Sequence, residues 1–510
     1  MRRGGRRARR PSSETGDLEP GDALATPRRH LPTIDPLSDA QLDAIHDAAL
    51  DLLERGGIEF LGQSARAVWR KAGAEVDEAS QLVRIPRGLV AAALASAPPT
   101  YTLTPRNPAK ALEIGGERFA CCLVSGPPNV HDEIGGRRPG SFADYLSLIR
   151  LGHSFDAIHA FGNQATAPID LPAETRHLDT ILAALVESDK VVGCQAIGAQ
   201  RVLDALDMMA IARGQTREDL MASPALQSSI NVNSPRRVDD SMSEGLMTLA
   251  RYGQVALVTP FTLMGAMTPV TLGAALIQQN AEALAGITLT QLVRPGAPVG
   301  YGCFTSNVDM RSGAPAFGTP ENVRAILCAG QLARRYRLPY RVSNANAATR
   351  CDAQAAYESS MSLWAALLGG GNIVMHAAGW LEGGLVASFE KIVLDAELLS
   401  EFIHMLGPIE LEDPDDSLAA ILDVPPGGHF FGTSHTLERY ADAFYQPMLS
   451  DWRNHEQWEA DGAHSARERA TAIWQERLQA HRPAPMATDV RAALEAFVKE
   501  RKLALAASAA

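Results

Sequence analysis

From about Phe119 the chain repeats one pattern: a short apolar run, a loop rich in Gly, Pro or Asn, then a segment with apolar residues at helical spacing. FACCLVS leads to FADYLSLIRLG, AIHAFGN to AETRHLDTILAALVES, KVVGCQAI to AQRVLDALDMMAIARG, and ALQSSINVN to VDDSMSEGLMTLARYG. QVALVTPF leads to TLGAALIQQNAEALAGITLTQL, APVGYGCF to TPENVRAILCAGQLARRYR, LPYRVSN to DAQAAYESSMSLWAALLGG, and NIVMHA to SFEKIVLDAELLSEFIHML. Eight such units over residues 119–406 predict an α/β fold, a (β/α)8 TIM barrel. A doubly wound open sheet is the competitor, but no G-x-G-x-x-G follows an early strand.

The flanks break this rhythm. Residues 1–32 read as an Arg-rich disordered tail, and 33–118 as a helical and short-strand layer packed on the barrel. That layer begins with SDAQLDAIHDAALDLLERGG, which has a capping serine, helical spacing of its apolar residues and a terminating glycine pair. After Gly407 a turn-rich stretch bearing His429 and His435 precedes further helices, so 407–510 reads as a C-terminal helical arm.

Composition adds mostly exclusions. The chain of 510 residues is 46% hydrophobic and 21% charged, ordinary globular material with a net charge of -12. That sign argues against general binding to nucleic acid or an anionic membrane. The opening MRRGGRRARR reads as a solvated tail; no apolar run follows it to make an export signal. No apolar stretch reaches membrane-spanning length, and the expectation is a cytoplasmic protein. The six cysteines form no C-x-x-C pair, so reduced thiols are expected and no thiolate–imidazole zinc cluster is visible.

In such a barrel the chemistry lies where strands end at their C-termini. That rule gathers Ser125, Asn163, Gln195, Asn231, Asn233, Thr259, Phe261, Tyr301, Phe304, Asn307, Asp309, Arg311, Ser343, Asn344, His376, Trp380 and Glu382 around one mouth. The set is rich in amides and aromatics and poor in paired carboxylates. The stretch 371–395 is the most distinctive: a buried strand, then a glycine-held loop carrying His376, Trp380 and Glu382, then a helix. Each residue also has a plainer reading. Phe389 sits at core spacing on its helix, Asp309 and Arg311 can brace their own loop, and His376 can be a satisfied core histidine. Trp380, flanked by glycine with no apolar periodicity to absorb it, resists such a reading best.

Segments 298–321, 352–359, 371–395 and 427–470, in this order, resemble the trimethylamine methyltransferase family, and within it the members without pyrrolysine that act on glycine betaine. The likeness covers nearly everything beyond the tail. It implies transfer of a methyl group from a methylated amine to cob(I)alamin on a separate corrinoid protein, with homo-oligomers usual. Two departures matter. Only standard residues occur, which points toward quaternary amines, and SNANAATRCD (343–352) differs from the GCSDSK-like text expected there.

Cobalt(I) is already a nucleophile and a quaternary ammonium leaves as a neutral amine. The protein's task is therefore positioning and desolvation. The expected substrate cage is Trp380, Tyr301, Phe304, Phe261 and Phe389, since aromatic faces attract cations. Glu382 or Asp309 would compensate charge, and Arg311, His376 or an amide such as Asn344 would hold a substrate carboxylate. His376 and Glu382 are the candidate catalytic pair. Asp156, His159 and Gly162 approximate a corrinoid-binding fingerprint, but the aspartate is one residue too far, so the corrinoid is expected on the partner, with no cofactor or metal bound tightly here. The alternatives are a trimethylamine methyltransferase proper, a non-catalytic betaine-binding or sensory protein, and a metal-dependent barrel enzyme.

Overall fold

Eight parallel segments close on themselves in the structure, a computed structural model that describes residues 26–509. The barrel strands are β1 (Ala120–Leu123), β2 (a single ladder position at Ala160), β3 (Val192–Gly193), β4 (Leu226–Val232), β5 (Val255–Met264), β6 (Val299–Gly302), β7 (Tyr340–Ser343) and β8 (Ile373–Ala378). Ala160 bridges Cys122 on one side and Val191 on the other. β3 pairs with β4, β4 with β5, β5 with β6, β6 with β7, and β7 with β8. β8 then returns to β1 through Ile373↔Ala120 and Val374↔Cys121. Every pairing is parallel, so the ring is a (β/α)8 barrel with no free edge.

Each strand is followed by its helix: α1 (Phe142–His153), α2 (Arg176–Glu187), α3 (Ala199–Arg213), α4 (Asp240–Arg251), α5 (Leu272–Val293), α6 (Pro320–Arg335), α7 (Ala353–Leu368) and α8 (Phe389–Met405). Register assigns the side chains to two faces, because residues paired across strands point the same way. Gln227↔Val255 and Ser229↔Leu257 face inward, as do Gly302↔Arg341 and Ser343↔Met375. Tyr301↔Tyr340 therefore face outward, into the helix layer. The lower interior is filled by Cys122, Ala160, Val255, Leu257 and Ile373, plugged by the hairpin Tyr101–Leu103 and Leu112–Ile114.

Residues 33–118 form helices Asp39–Asp51, Gln63–Lys71 and Arg87–Ser96 with short antiparallel strands between them. All three helices lie against α5. This explains why α5 is buried around its whole circumference, including Gln279, Asn280 and Glu282: the barrel takes one face and the added layer the other. At the other end of the chain, Ala466–Ala480 packs on α8 and α1, and Thr488–Ala509 on α2 and α3. The Arg-rich block at 1–10 lies outside the described residues. Among the described residues, no helix is long and apolar enough to cross a membrane.

Candidate functional site

The barrel's C-terminal end holds a cavity of about 370 Å³, lined from all eight strand ends. Larger cavities, of about 730 and 700 Å³, lie at the opposite end around Thr100 and Gly116, where no strand delivers its C-terminus. The chemistry-bearing side chains converge on the first.

β8 supplies the centre. Its pairing with β1 shifts register between Val374 and Ala378, and His376 inside that bulge has φ +54°. A bulge and a left-handed residue re-aim a side chain that strict alternation would send to the helix layer. The His376 ring thus enters the cavity, where its Nδ1 accepts the backbone N–H of Ser125 at 3.2 Å. Burial, with the nearby Arg341 charge, pushes its pKa well below the usual histidine value, so the ring is neutral. With Nδ1 accepting, the proton of the neutral ring sits on Nε2.

Nε2 faces another donor. Arg341, from β7, is 2% exposed and brings its Nη2 to 3.5 Å from His376 Nε2. Its Nη1 donates to Ser343 Oγ at 2.8 Å, while its Nε has no partner. Burial lowers its pKa to about 10, which leaves it charged at neutral pH. Two N–H groups pointing at each other call for an acceptor between them. The same deficit recurs across the lining: Gln164 Nε2, Gln195 Nε2, Ser229 Oγ, Arg176 Nε and Trp380 Nε1 are all buried without a partner. Arg176 and Arg201, at the N-terminal ends of α2 and α3, add positive charge at the rim, and no carboxylate lines the cavity.

Beside the Arg341–His376 pair lies a cluster of rings. Trp380 is 4.2 Å from His376 between centroids and edge-on to Phe304 at 5.9 Å; Phe304 is 5.1 Å from Phe261. The Arg341 guanidinium stands 5.5 Å over the Phe304 ring. The loop bearing Trp380 is fixed from several sides. Asp395 accepts the Gly379 N–H at 2.8 Å and is held by the buried Lys391, while Glu382 and Gly383 donate backbone N–H groups to Ala348 and Asn346. At Gly384, φ is +100° and a Cβ would stand 2.4 Å from Trp380 Cζ2, so both backbone and indole require glycine there.

Of the ten residues expected to bind or act on substrate, four meet at this cavity, His376, Trp380, Phe304 and Phe261, and Ser125, Asn163, Gln195 and Asn231 of the wider mouth set line it with them. The other six lie elsewhere. Tyr301 faces outward, its hydroxyl bonded to Gln279 and Asn280 and its ring packed on Tyr336 and Tyr340. Phe389 is buried against Trp474 of the C-terminal arm, the packing role its helical spacing allowed. Asn344 is buried behind the wall, donating to Ser359 Oγ and the Ala377 carbonyl. Asp309 closes its own loop onto Ser312 and the Arg311 amide, and Arg311 is exposed. Glu382 is ion-paired with Arg137 at 3.1 Å, outside the lining, so it offers the cavity no free charge. Arg341, Arg176 and Arg201 were not anticipated. The signal for Arg341 was a charged residue inside LPYRVSN, since a strand covered on both faces tolerates an arginine only where something polar awaits it.

Among the described residues no cluster of three or more His, Cys, Asp or Glu could hold a metal ion. The sequence matches the trimethylamine methyltransferase (MTTB) family over residues 2–506. It is 34% identical to a glycine betaine methyltransferase of Desulfitobacterium hafniense (strain Y51), over 92% of this chain and 98% of the relative. It is 28% identical to a trimethylamine methyltransferase MttB of Desulfitobacterium hafniense (strain DSM 10664 / DCB-2), over 91% of this chain and 93% of the relative. A proline betaine:corrinoid methyltransferase of Eubacterium limosum is also 28% identical, covering 87% of this chain and 92% of its own.

Proposed function

Because the chain belongs to the trimethylamine methyltransferase family, we propose that it transfers a methyl group from a quaternary ammonium carboxylate of the betaine type to a corrinoid carried by a separate protein. The observation that carries this reading is the facing pair of donors, His376 Nε2–H and the Arg341 guanidinium, beside a cluster of aromatic rings. A carboxylate bridging Arg341 and His376 answers both donors and neutralises a charge that is otherwise buried alone. The trimethylammonium end then lies against Trp380, Phe304 and Phe261, where ring faces stabilise a cation without hydrogen bonds.

The reaction asks for nothing more from this chain. The C–N bond breaks with its electron pair staying on nitrogen, the two electrons of cobalt(I) form the new bond to carbon, and no proton moves. A cavity of about 370 Å³ suits a small zwitterion and is far too small for a corrin macrocycle, which would meet the methyl group from outside the mouth. Cobalt(I) survives only under reducing conditions, which is consistent with a cytoplasmic reaction and with six unpaired cysteines.

Trimethylamine, the substrate named for other relatives, fits less well. Protonated at neutral pH, it would bring a second cation beside Arg341 with no carboxylate to offset it. The test is anaerobic mixing with cob(I)alamin and a panel of glycine betaine, proline betaine, carnitine, choline and trimethylamine, followed by visible absorbance. Methylation by the carboxylated compounds and not by choline or trimethylamine is expected. Equal rates with trimethylamine would overturn the carboxylate assignment, and binding of a betaine without any methylation would favour a sensory protein.

A further inference from the structure

The cavity at the barrel mouth has two unlike sides. From β5 to β8 its wall is the ring cluster with Arg341 and His376, the side that receives the betaine. From β2 to β4, with the first turns of α2 and α3, the polar wall includes Gln164, Gln195, Ser229, Arg176 and Arg201, and no aromatic ring stands among them. Glycine betaine held by its carboxylate at Arg341 and by its methyl groups on the rings has no group left for this second wall.

The second wall nevertheless presents a set of donors awaiting an acceptor. Gln195 and Gln164 are each 7% exposed, and the Nε2 of each is without a partner. Gln195 Oε1 accepts from Arg201 Nη1 at 3.0 Å, which fixes the amide. The reverse orientation would set its NH2 against a guanidinium, so the free end is the donor. Ser229 Oγ and Arg176 Nε are also buried and unpartnered. Burial and then the Arg176 charge lower the Arg201 pKa, as two like charges sharing one space require. Glu174 and Glu244 approach Arg201 and Gly198 from outside the lining and leave these donors unanswered. α2 and α3 begin here without a side-chain cap, at Thr175 and Gly198, so their first N–H groups add to the positive potential.

On the betaine reading of this cavity, we propose that the second wall is a second anion subsite and that the substrate is a betaine with a further acidic group, an N-trimethylated amino dicarboxylate. Its far carboxylate is held by Arg201, Arg176 and the Gln195 amide. Charge selects this class. Three arginines line a cavity that no carboxylate lines, and a betaine with one carboxylate answers Arg341 alone. Guanidinium donors favour a carboxylate over a neutral polar arm. The chemistry is unaltered: the C–N bond breaks with its pair staying on nitrogen, cobalt(I) supplies the pair for the new bond to carbon, and the dimethylated amine leaves with both carboxylates intact.

The test is titration calorimetry of the full chain with glycine betaine, N,N,N-trimethylaspartate and N,N,N-trimethylasparagine, the last having the same arm without its charge. Trimethylaspartate should bind roughly tenfold or more tighter than trimethylasparagine, because a charge-assisted contact exceeds a neutral one. It should also methylate cob(I)alamin at lower concentration than glycine betaine does. The preference for aspartate over asparagine should shrink in Arg176→Gln and in Arg201→Gln and vanish when both are changed, with far-UV circular dichroism unchanged. A wild type that binds trimethylaspartate no tighter than trimethylasparagine overturns the second subsite; if glycine betaine is still bound and demethylated, the betaine reading stands. A preference that survives both substitutions overturns it too, as does tight binding of trimethylaspartate without methyl transfer where glycine betaine reacts. Failure of all three ligands to bind overturns both.

Discussion

Replacing Arg341 with methionine separates a binding role from a structural one, because the two predict opposite changes in stability. In the protein without substrate, Arg341 is a charge 2% exposed, with its Nε unpartnered and no carboxylate lining its cavity. Removing a charge whose desolvation is poorly compensated, and filling the space with an apolar chain of similar length, is expected to be neutral or stabilising by about 1–4 kcal/mol. The lost Ser343 hydrogen bond offsets about 1 kcal/mol of that gain. The melting temperature should therefore hold or rise.

Activity should move the other way. A carboxylate held by Arg341 makes charge-assisted bonds of about 1.5–3 kcal/mol each, and two of them amount to about 3–6 kcal/mol. At about 1.36 kcal/mol per decade, kcat/KM for glycine betaine should fall roughly 100- to 25,000-fold. The assay is the loss of cob(I)alamin absorbance under anaerobic conditions, with choline as the carboxylate-free comparison. The wild type should prefer glycine betaine strongly over choline, and the variant should lose that preference. Betaine at a hundred times its dissociation constant should stabilise the wild type by about 2.7 kcal/mol and the variant hardly at all. A variant within about threefold of wild-type kcat/KM would refute the assignment. A variant whose activity and melting temperature fall together would make Arg341 a structural residue.

Trp380→Ala should raise KM for betaine by about 2- to 30-fold, the equivalent of one cation–ring contact of about 0.5–2 kcal/mol, with far-UV circular dichroism unchanged. Gly384→Ala should reproduce part of that loss without touching the substrate, because its Cβ would displace the Trp380 indole; unchanged KM would show that the ring is free to move. Glu382→Gln should leave kcat/KM within about threefold, since Glu382 spends its charge on Arg137 outside the cavity; a large selective loss with quaternary substrates would restore it to the site. Acid should destabilise the fold early. Burial pushes His153 and His159 down to about 3, and His376 well below its usual value, so the unfolded chain takes up protons first as pH falls from about 6.5. Stability is full above that pH and drops by about 1.4 kcal/mol per unit for each such histidine until their folded pKa values are reached; a melting temperature flat between pH 6.5 and 4.5 would contradict this.

The barrel was legible because its information is periodic. Eight apolar runs, each followed by helical spacing, survive uncertainty in any one of them, including β2, which is reduced to a single ladder position at Ala160. The helix α5 was legible as a helix, but what covers its outer side is a tertiary fact. Single residues at the mouth were harder, because which way a side chain points depends on register, and register is invisible locally. Tyr301 and Phe304 stand three apart in one apolar run, and with the register to β5 unbroken, alternation alone sends the first to the helix layer and the second to the cavity. His376 is the reverse case. Alternation along β8 would hide it, and only the bulge and its positive φ turn it inward.

Arg341 was legible in the sequence as a charge inside an apolar strand run. Among the carboxylate holders expected from sequence, His376 lines the cavity, whereas Arg311 stands on an exposed loop, where charge is usual, and Asn344 is buried behind the wall. The informative arginine was the one in a strand, where charge is costly. A buried guanidinium facing an imidazole N–H is unfavourable until an anion arrives. A carboxylate that bridges the two donors relieves this, and a substrate without one does not. A quaternary cation without that anion meets the repulsion of Arg341 and receives only the ring contacts in exchange. On this reasoning, selectivity for a zwitterion over a bare ammonium is set less by the cage that holds the methyl groups than by the unsatisfied donors at the other end of the same cavity.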